Sequence, residues 1–266
     1  MYTLGVDIGS TASKAVIVKN GREIIAKEII NVGAGTSGPV RVTNDILNKS
    51  NLKLEEIVNI VVTGYGRKNY VFSKNQISEL SCHTKGVYYI FPDVRTIIDI
   101  GGQDAKVIKV NKDGKICNFV MNDKCAAGTG RFLDVMAKIL EVDIGDLGEI
   151  GILSENPCEI SSTCTVFAES EVISRLSNNT SIKDIIGGIN KSVAARVATL
   201  AKRNGVENTV VMTGGVAQNI GVIKSMEEEL KTSIKTSSLA QFTGALGAAL
   251  YAWEELNIEG DENNGR

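Results

Sequence analysis

The sequence predicts an α/β fold made of two related halves, each built on a three-strand unit that contains a glycine-rich turn. The turns read GVDIGSTASK at residues 5–14 and DIGGQDAK at residues 99–106. Each turn follows a short apolar run and places an aspartate ahead of glycine and small residues. Each is followed by an apolar run, then Asn20-Gly21 or Asp113-Gly114, then another apolar run. Asn-Gly and Asp-Gly between apolar runs predict hairpins, so one supersecondary unit occurs twice.

The elements between and after these units follow from apolar spacing. Val42, Ile46 and Leu47 lie at helical spacing in residues 40–50, and NIVVT at residues 59–63 is typical of a buried strand. We also predict helices over residues 77–89, 131–140, 166–176, 184–204 and 240–256, a helix ending at residue 230, and a strand over residues 209–213. Pro92 and Asp93 mark a break before the second unit, which spans residues 96–121. We therefore expect one half-domain from residues 1–93 plus 242–266 and a second from residues 94–241.

Composition excludes several classes of protein. Among 266 residues, 43% are hydrophobic and 23% are charged, which is ordinary for a globular protein. A net charge of −2 argues against a nucleic-acid-binding protein, which would need a basic face. No apolar run approaches the roughly 20 residues of a membrane span, and the first strand begins too early to leave room for a signal peptide. We expect a cytoplasmic protein that binds neither nucleic acid nor membrane.

The paired turns are suited to a nucleotide, because phosphate binding favours glycine and small residues whose backbone N–H groups allow close approach. Ser10, Thr11 and Ser13 add hydroxyl groups, and Lys14 adds a positive charge. Asp7 and Asp99 end the equivalent strands and would hold Mg²⁺ through its waters. Gln103 would orient an attacking water, a role that glutamine has in other nucleotide hydrolases. A third turn, VVMTGGVAQN at residues 210–219, suits a flat contact with adenosine.

The competing interpretation is that these are tight turns in a duplicated sheet without a ligand. A dinucleotide-binding fold is disfavoured, because no GxGxxG opens a helix and hairpins rather than βαβ crossovers follow the turns. The Walker A pattern GxxxxGK[ST] is also absent from the sequence.

Two of the five cysteines occur in matching settings. Cys125 in NDKCAAGTGRF and Cys164 in SSTCTVFAES each precede a predicted helix, whose N-terminus favours a thiolate or an anionic ligand. A four-iron cluster held by thiolates needs four cysteines, so two chains would share one cluster. The alternative is two buried structural thiols, which is how we interpret Cys82, Cys117 and Cys158. The single histidine, His83, is expected at the surface or at a helix cap.

At these motifs the chain resembles the ATP-dependent activators (component A, the initiator ATPases) of the (R)-2-hydroxyacyl-CoA dehydratases, to which the ATPase subunits of benzoyl-CoA reductases are related. The resemblance extends from GVDIGSTASK through TGYGR, DIGGQDAK, the two cysteine motifs and MTGGVAQN to LAQFTGALGAAL. It implies a duplicated actin-like ATPase fold, that of the acetate and sugar kinase, heat-shock chaperone and actin superfamily.

The resemblance also implies a homodimer with one 4Fe–4S cluster at its interface, held by Cys125 and Cys164 of both subunits. ATP or ADP with Mg²⁺ would contact Ser10, Thr11, Ala12, Ser13, Lys14, Gln103, Gly214, Gly215, Gln218 and Gln241. Reduced flavodoxin or ferredoxin would supply one electron, and ATP hydrolysis would drive that electron onto an iron–sulfur dehydratase. No motif identifies the acyl-CoA that this partner uses.

Two further classes remain open from the residues alone. A small-molecule kinase of the same fold would leave the cysteines as structural thiols, although no motif for a substrate-binding catalytic aspartate is found. A non-enzymatic ATP-dependent chaperone or filament subunit would leave the paired cysteines unexplained.

Overall fold

A computed structural model describes residues 1–73, 75–122, 125–161 and 164–263 of the chain. The chain divides into two compact units. Unit 1 comprises Met1–Asp93 with Gln241–Arg266, and unit 2 comprises Val94–Ala240. No described helix combines the length and apolar character that crossing a membrane requires.

Unit 1 is a four-stranded sheet covered by helices on both faces. Its elements are β1 (Tyr2–Ile8), β2 (Ser13–Lys19), β3 (Glu23–Ile30), α1 (Gly38–Ser50), β4 (Ile57–Thr63), α2 (Glu79–Ile90) and, after unit 2, α8 (Thr243–Asn263). The strand order is β3-β2-β1-β4, with β1 antiparallel to β2 and parallel to β4.

The two faces of this sheet are packed differently because successive strand residues point to opposite sides. Leu4 and Val6 of β1 share a buried apolar cluster with Val42 and Ile46 of α1. On the other face, residues of β2 pack against the apolar side of α8. The sheet is therefore buried on both sides, which explains its nearly continuous apolar strands.

Unit 2 repeats the arrangement with a five-stranded sheet and more helices. Its elements are β5 (Thr96–Ile100), β6 (Ala105–Val110), β7 (Ile116–Asn122), α3 (Gly130–Leu140), α4 (Leu147–Gly151), α5 (Thr165–Ser177), α6 (Ile182–Asn204), β8 (Val210–Thr213), α7 (Ile220–Leu230) and β9 (Ile234–Lys235). The strand order is β7-β6-β5-β8-β9. One large apolar cluster joins this sheet to α3, α5, α6 and α7.

The predicted duplication is confirmed by the strand register. Asp7 of β1 pairs with Lys14 of β2, and Asp99 of β5 pairs with Lys106 of β6 at the same antiparallel position. Both predicted hairpins also form, between β2 and β3 and between β6 and β7. The sequence therefore specifies the same framework twice.

The two hairpin turns differ in backbone conformation. Asn20 and Gly21 both have positive φ, 53° and 66°, as a type I′ turn requires. In the second hairpin only Gly114 is described with positive φ, and the Asn111 side chain accepts hydrogen bonds from the backbone N–H groups of Asp113 and Lys115. The Asp113-Gly114 signal thus predicts the hairpin correctly but marks a longer turn.

Candidate functional site

Asp7, the last residue but one of β1, is buried in unit 1 beside the side chains of a lysine and a histidine. Its Oδ2 lies 3.5 Å from Lys14 Nζ and 3.9 Å from His83 Nε2. His83 is only 6% exposed and its Nδ1 lies 3.1 Å from Thr243 Oγ1. The prediction that this histidine lies at the surface is wrong, because the ring fills the space between α8 and the end of β1.

The glycine-rich turn after Asp7 is fixed by its own backbone. Gly9 N–H donates to the Ala12 carbonyl at 3.0 Å, and the Gly9 carbonyl accepts a hydrogen bond from Ala34 N–H at 2.9 Å. Ser13 is fully buried and donates its hydroxyl to the Val32 carbonyl at 2.8 Å. Because this hydroxyl is used inside the unit, only the hydroxyls of Ser10 and Thr11, which are half-buried and exposed, stay available to a ligand.

Asp99 has the corresponding position in unit 2, with a different set of partners. Thr213 Oγ1 donates to Asp99 Oδ1 at 2.8 Å, and Lys106 Nζ lies 3.5 Å from Asp99 Oδ2. Lys106 also forms an ion pair with Asp104 at 2.6 Å. Gly101 N–H donates to the Asp104 carbonyl at 2.9 Å, which repeats the Gly9 turn.

Sequence reasoning missed Lys106 and Thr213, although a signal for each was present. Lys106 stands seven residues after Asp99, as Lys14 stands after Asp7. Thr213 faces Asp99 across parallel strands, as Thr63 faces Asp7. The segments IVVTG and VVMTG that end at residues 64 and 214 are matching copies of one strand and turn.

The turn predicted to contact adenosine is therefore the counterpart of the Gly64 turn. Gly64 and Gly214 have φ of +88° and +85°, a region that favours glycine. A Cβ on Gly64 would lie 2.6 Å from the Ile8 carbonyl oxygen, and one on Gly214 would collide with the Ile100 carbonyl oxygen. In each unit a glycine therefore lets this turn lie close to the end of the neighbouring strand, β1 in unit 1 and β5 in unit 2.

The other nucleotide-site residues lie on turns or at element ends. Gln103, Gly215 and Gln218 are exposed, and Ala12 is buried. Gly214 and Gln241 are half-buried.

The second glycine-rich turn is hydrogen-bonded directly to the helix that follows Cys125. The N–H groups of Gly130 and Arg131, the first two residues of α3, donate to the carbonyls of Gly101 and Gly102 at 2.9 and 2.8 Å. These two N–H groups have no partner inside the helix and would otherwise need one. The predicted nucleotide loop and the first turn of α3 are therefore one connected structure.

The two candidate cluster ligands have different settings. Cys164 is exposed and is the N-cap residue of α5. Cys125 is half-buried against the core of unit 2 and lies five residues ahead of Gly130, where α3 begins. Asp123, Lys124, Ser162 and Thr163, which belong to the two cysteine motifs, lie outside the described residues.

Apolar side chains beside Cys164 are exposed to solvent. Val166 is 66% exposed and Phe167 68% exposed, whereas Ala168 and Val172 form the buried side of α5.

The remaining cysteines are not all structural thiols. Cys82 is fully buried on α2, and burial raises the pKa of its thiol to about 12. Burial also raises the pKa of Cys158. Cys117 is exposed on β7, so the prediction that it is a buried thiol is wrong.

We expect Cys117 to react with a maleimide in the folded protein and Cys82 to react only after unfolding. The Cys82 thiol is both inaccessible and held protonated, and the thiolate is the reactive form. Peptide mapping by mass spectrometry after labelling near neutral pH, with and without denaturant, measures both sites. If Cys82 is labelled in the folded protein as fast as Cys117, the buried position of its side chain on α2 is contradicted.

Comparison with known proteins gives a consistent family assignment. The model of the BadF/BadG/BcrA/BcrD ATPase family matches residues 4–252. The chain is 61% identical over 255 residues to the 2-hydroxyisocaproyl-CoA dehydratase activator of Clostridioides difficile, covering 96% of each chain. It is 58% identical over 256 residues to the (R)-2-hydroxyglutaryl-CoA dehydratase activating ATPase of Acidaminococcus fermentans, covering 96% of this chain and 98% of that one.

The fold agrees with that assignment. The structure of the activator of the 2-hydroxyisocaproyl-CoA dehydratase from Clostridium difficile, with bound ADPNP, superimposes with a TM-score of 0.97 at 60% identity over 98% of each chain. This confirms the predicted duplicated actin-like ATPase fold. With a family model that spans nearly the whole chain and relatives of this identity, the chain belongs to the BadF/BadG/BcrA/BcrD ATPase family.

Proposed function

We propose that the protein is the ATP-hydrolysing activator of an iron–sulfur (R)-2-hydroxyacyl-CoA dehydratase, with units 1 and 2 as its two half-domains. The observation that carries the proposal is the pair of hydrogen bonds from Gly130 and Arg131 to the carbonyls of Gly101 and Gly102. A nucleotide that moves this loop must also move the first turn of α3, which follows Cys125. The relatives named as dehydratase activators support the choice of partner.

The nucleotide would be held by the residues named from the sequence, with one change of role. Ser13 would contribute through its backbone, because its hydroxyl donates to Val32. Asp7 and Asp99 offer hard oxygen ligands, the type that Mg²⁺ prefers. Since each carboxylate already faces a lysine 3.5 Å away, we expect Mg²⁺ to reach them through its waters. Gln103 is exposed and would position the attacking water.

Cys125 and Cys164 suit a 4Fe–4S cluster shared by two subunits. Each chain offers two cysteines, Cys164 at the N-cap of α5 and Cys125 five residues before α3, and a cubane needs four thiolates. The exposure of Cys164, Val166 and Phe167 supports an interface at this surface, because burying such a patch in a homodimer removes apolar area from water. When bound, the cluster would act as a one-electron carrier.

In the proposed reaction, reduced flavodoxin or ferredoxin provides one electron and ATP hydrolysis drives its transfer to the dehydratase. The protein itself would bind ATP and ADP in different conformations of the turn at residues 99–106. The carbonyls of Gly101 and Gly102 in this turn accept hydrogen bonds from the first residues of α3. A nucleotide shifts such an equilibrium only by its difference in affinity for the two states. A tenfold ratio between these two affinities corresponds to a change of about 59 mV in a one-electron reduction potential.

The test is to purify the protein without oxygen and assay ATP-dependent activation of a 2-hydroxyacyl-CoA dehydratase. We expect a brown dimer with about four iron atoms per two chains that activates the dehydratase with ATP and a one-electron reductant, and not with ADP. A colourless protein that phosphorylates a small molecule would favour the kinase alternative. Identical cluster potential and dehydratase docking with ATP, ADP and no nucleotide would refute the coupling.

A further inference from the structure

We propose that His83 is a positioning residue of the nucleotide site, which holds the carboxylate of Asp7 in the orientation needed for Mg²⁺. This inference rests on the proposed function, in which Asp7 faces the metal. Its basis is a chain of contacts within unit 1 from Thr243, through the His83 ring, to Asp7.

The duplicated framework shows why unit 1 needs such a residue. In unit 2 the hydroxyl of Thr213 donates to Asp99 at 2.8 Å and fixes its carboxylate. In unit 1 the equivalent hydroxyl, on Thr63, donates instead to the Ile77 carbonyl at 2.9 Å. A lysine lies 3.5 Å from the carboxylate in both units, so it is the threonine donor that Asp7 lacks, and His83 on α2 is the further side chain that faces this carboxylate.

The inference requires the tautomer that carries its proton on Nε2. In that tautomer Nδ1 accepts a hydrogen bond from the Thr243 hydroxyl, whose Oγ1 lies 3.1 Å away. That Nε2–H faces Asp7 Oδ2 at 3.9 Å. The gap is about 1 Å longer than a hydrogen bond, and such contacts are often long without ligand and tighten when substrate binds.

Gly244 allows the two side chains to converge. A Cβ at this position would lie 2.9 Å from both Asp7 Oδ2 and His83 Nε2. Thr243 and Gly244 are also the first residues of α8, and the N-terminus of a long helix stabilises a negative charge. Asp7 is therefore placed where a carboxylate is stabilised and where His83 and Lys14 both face its Oδ2.

The experiment compares His83→Asn with His83→Gln. An asparagine amide occupies the region of Nδ1, whereas the longer glutamine places a donor near Nε2. We expect His83→Asn to weaken the Mg²⁺-dependent part of ADPNP binding by about tenfold, the size expected for a lost hydrogen bond to a charged group. His83→Gln should retain most of that dependence. Isothermal titration with Mg²⁺ and with EDTA separates the two parts of the affinity.

Thr84→Val is the matched control on the same helix. Thr84 is buried beside His83, and within the described residues its hydroxyl has no hydrogen-bond partner, so an isosteric valine should leave nucleotide binding unchanged. Thr243→Val, which removes the hydroxyl that faces Nδ1, should reduce the Mg²⁺ dependence in the same direction as His83→Asn. Folding of each variant is checked by circular dichroism.

The outcomes separate this inference from the proposed function. An equal loss of affinity with Mg²⁺ and with EDTA in His83→Asn would make the role one of packing and overturn the inference. So would Mg²⁺ dependence equal to that of the wild type in both His83→Asn and Thr243→Val. A wild-type protein that binds no ADPNP under either condition would instead overturn the proposed function, and the inference with it.

Discussion

Replacing Cys164 with alanine is expected to leave the purified protein without bound iron. Cys164 caps α5 and is exposed, so its thiol is available to a cluster shared with a second chain. If each subunit provides two of four thiolates, one substitution per chain removes two ligands from every cluster. Cys125→Ala should have the same effect. Iron and sulfide content, with the visible spectrum of protein purified without oxygen, measures the result.

Cys117→Ala is the matched control for this experiment. Cys117 is also exposed, but it lies at the start of the edge strand β7 and precedes no helix N-terminus. Its loss should leave the iron content unchanged. Wild-type iron in Cys164→Ala, or an equal loss of iron in Cys117→Ala, would refute the assignment of the ligands.

The same variants bear on the homodimer. Val166 and Phe167 lie two and three residues after Cys164, and both side chains are more than half exposed in the single chain. Because the cluster would link the two chains through thiolates of both, we expect iron loss and dimer dissociation to occur together in sedimentation velocity. A cluster-free variant that remains dimeric would show that apolar burial alone is sufficient for association.

The sequence predicts the repeated framework well because the signals for it are local. Asp-Gly and Asn-Gly turns, apolar runs and the spacing between them specify the hairpins, and both form as expected. Helix bounds agree within a few residues at most ends; α3, predicted over residues 131–140, is Gly130–Leu140. The end of α8 is less well predicted, because the helix continues to Asn263, seven residues beyond the predicted residue 256.

The partners of the two carboxylates could not be predicted in the same way, because they depend on contacts distant in sequence. Thr213 reaches Asp99 across 114 positions of the chain, and His83 reaches Thr243 across 160. A single histidine gives no periodic signal that separates a buried from an exposed position. The exposure of Phe167 could not be predicted either, because the spacing of apolar residues along a helix does not distinguish packing within the chain from packing against a partner.

Gly64→Ala should strongly destabilise unit 1 and remove nucleotide binding. The position has φ of +88°, where alanine costs about 1 to 2 kcal/mol. The added Cβ would also meet the Ile8 carbonyl oxygen at 2.6 Å and collide with the carboxylate of Asp7. Overpacking of this kind adds about 1 to 3 kcal/mol, so the total loss is roughly 2 to 5 kcal/mol. Urea unfolding measures the free energy, and calorimetry with ADPNP measures binding.

Gly35→Ala separates the backbone effect from the contact effect. Gly35 also has positive φ, +76°, but a Cβ there would meet no atom within 4 Å. This variant should lose only the backbone contribution of about 1 to 2 kcal/mol and bind ADPNP as the wild type does. Equal losses in the two variants would mean that the close approach of Gly64 to Asp7 carries no energetic weight. A larger loss in Gly64→Ala with unchanged binding would mean that the orientation of Asp7 is not required for the nucleotide.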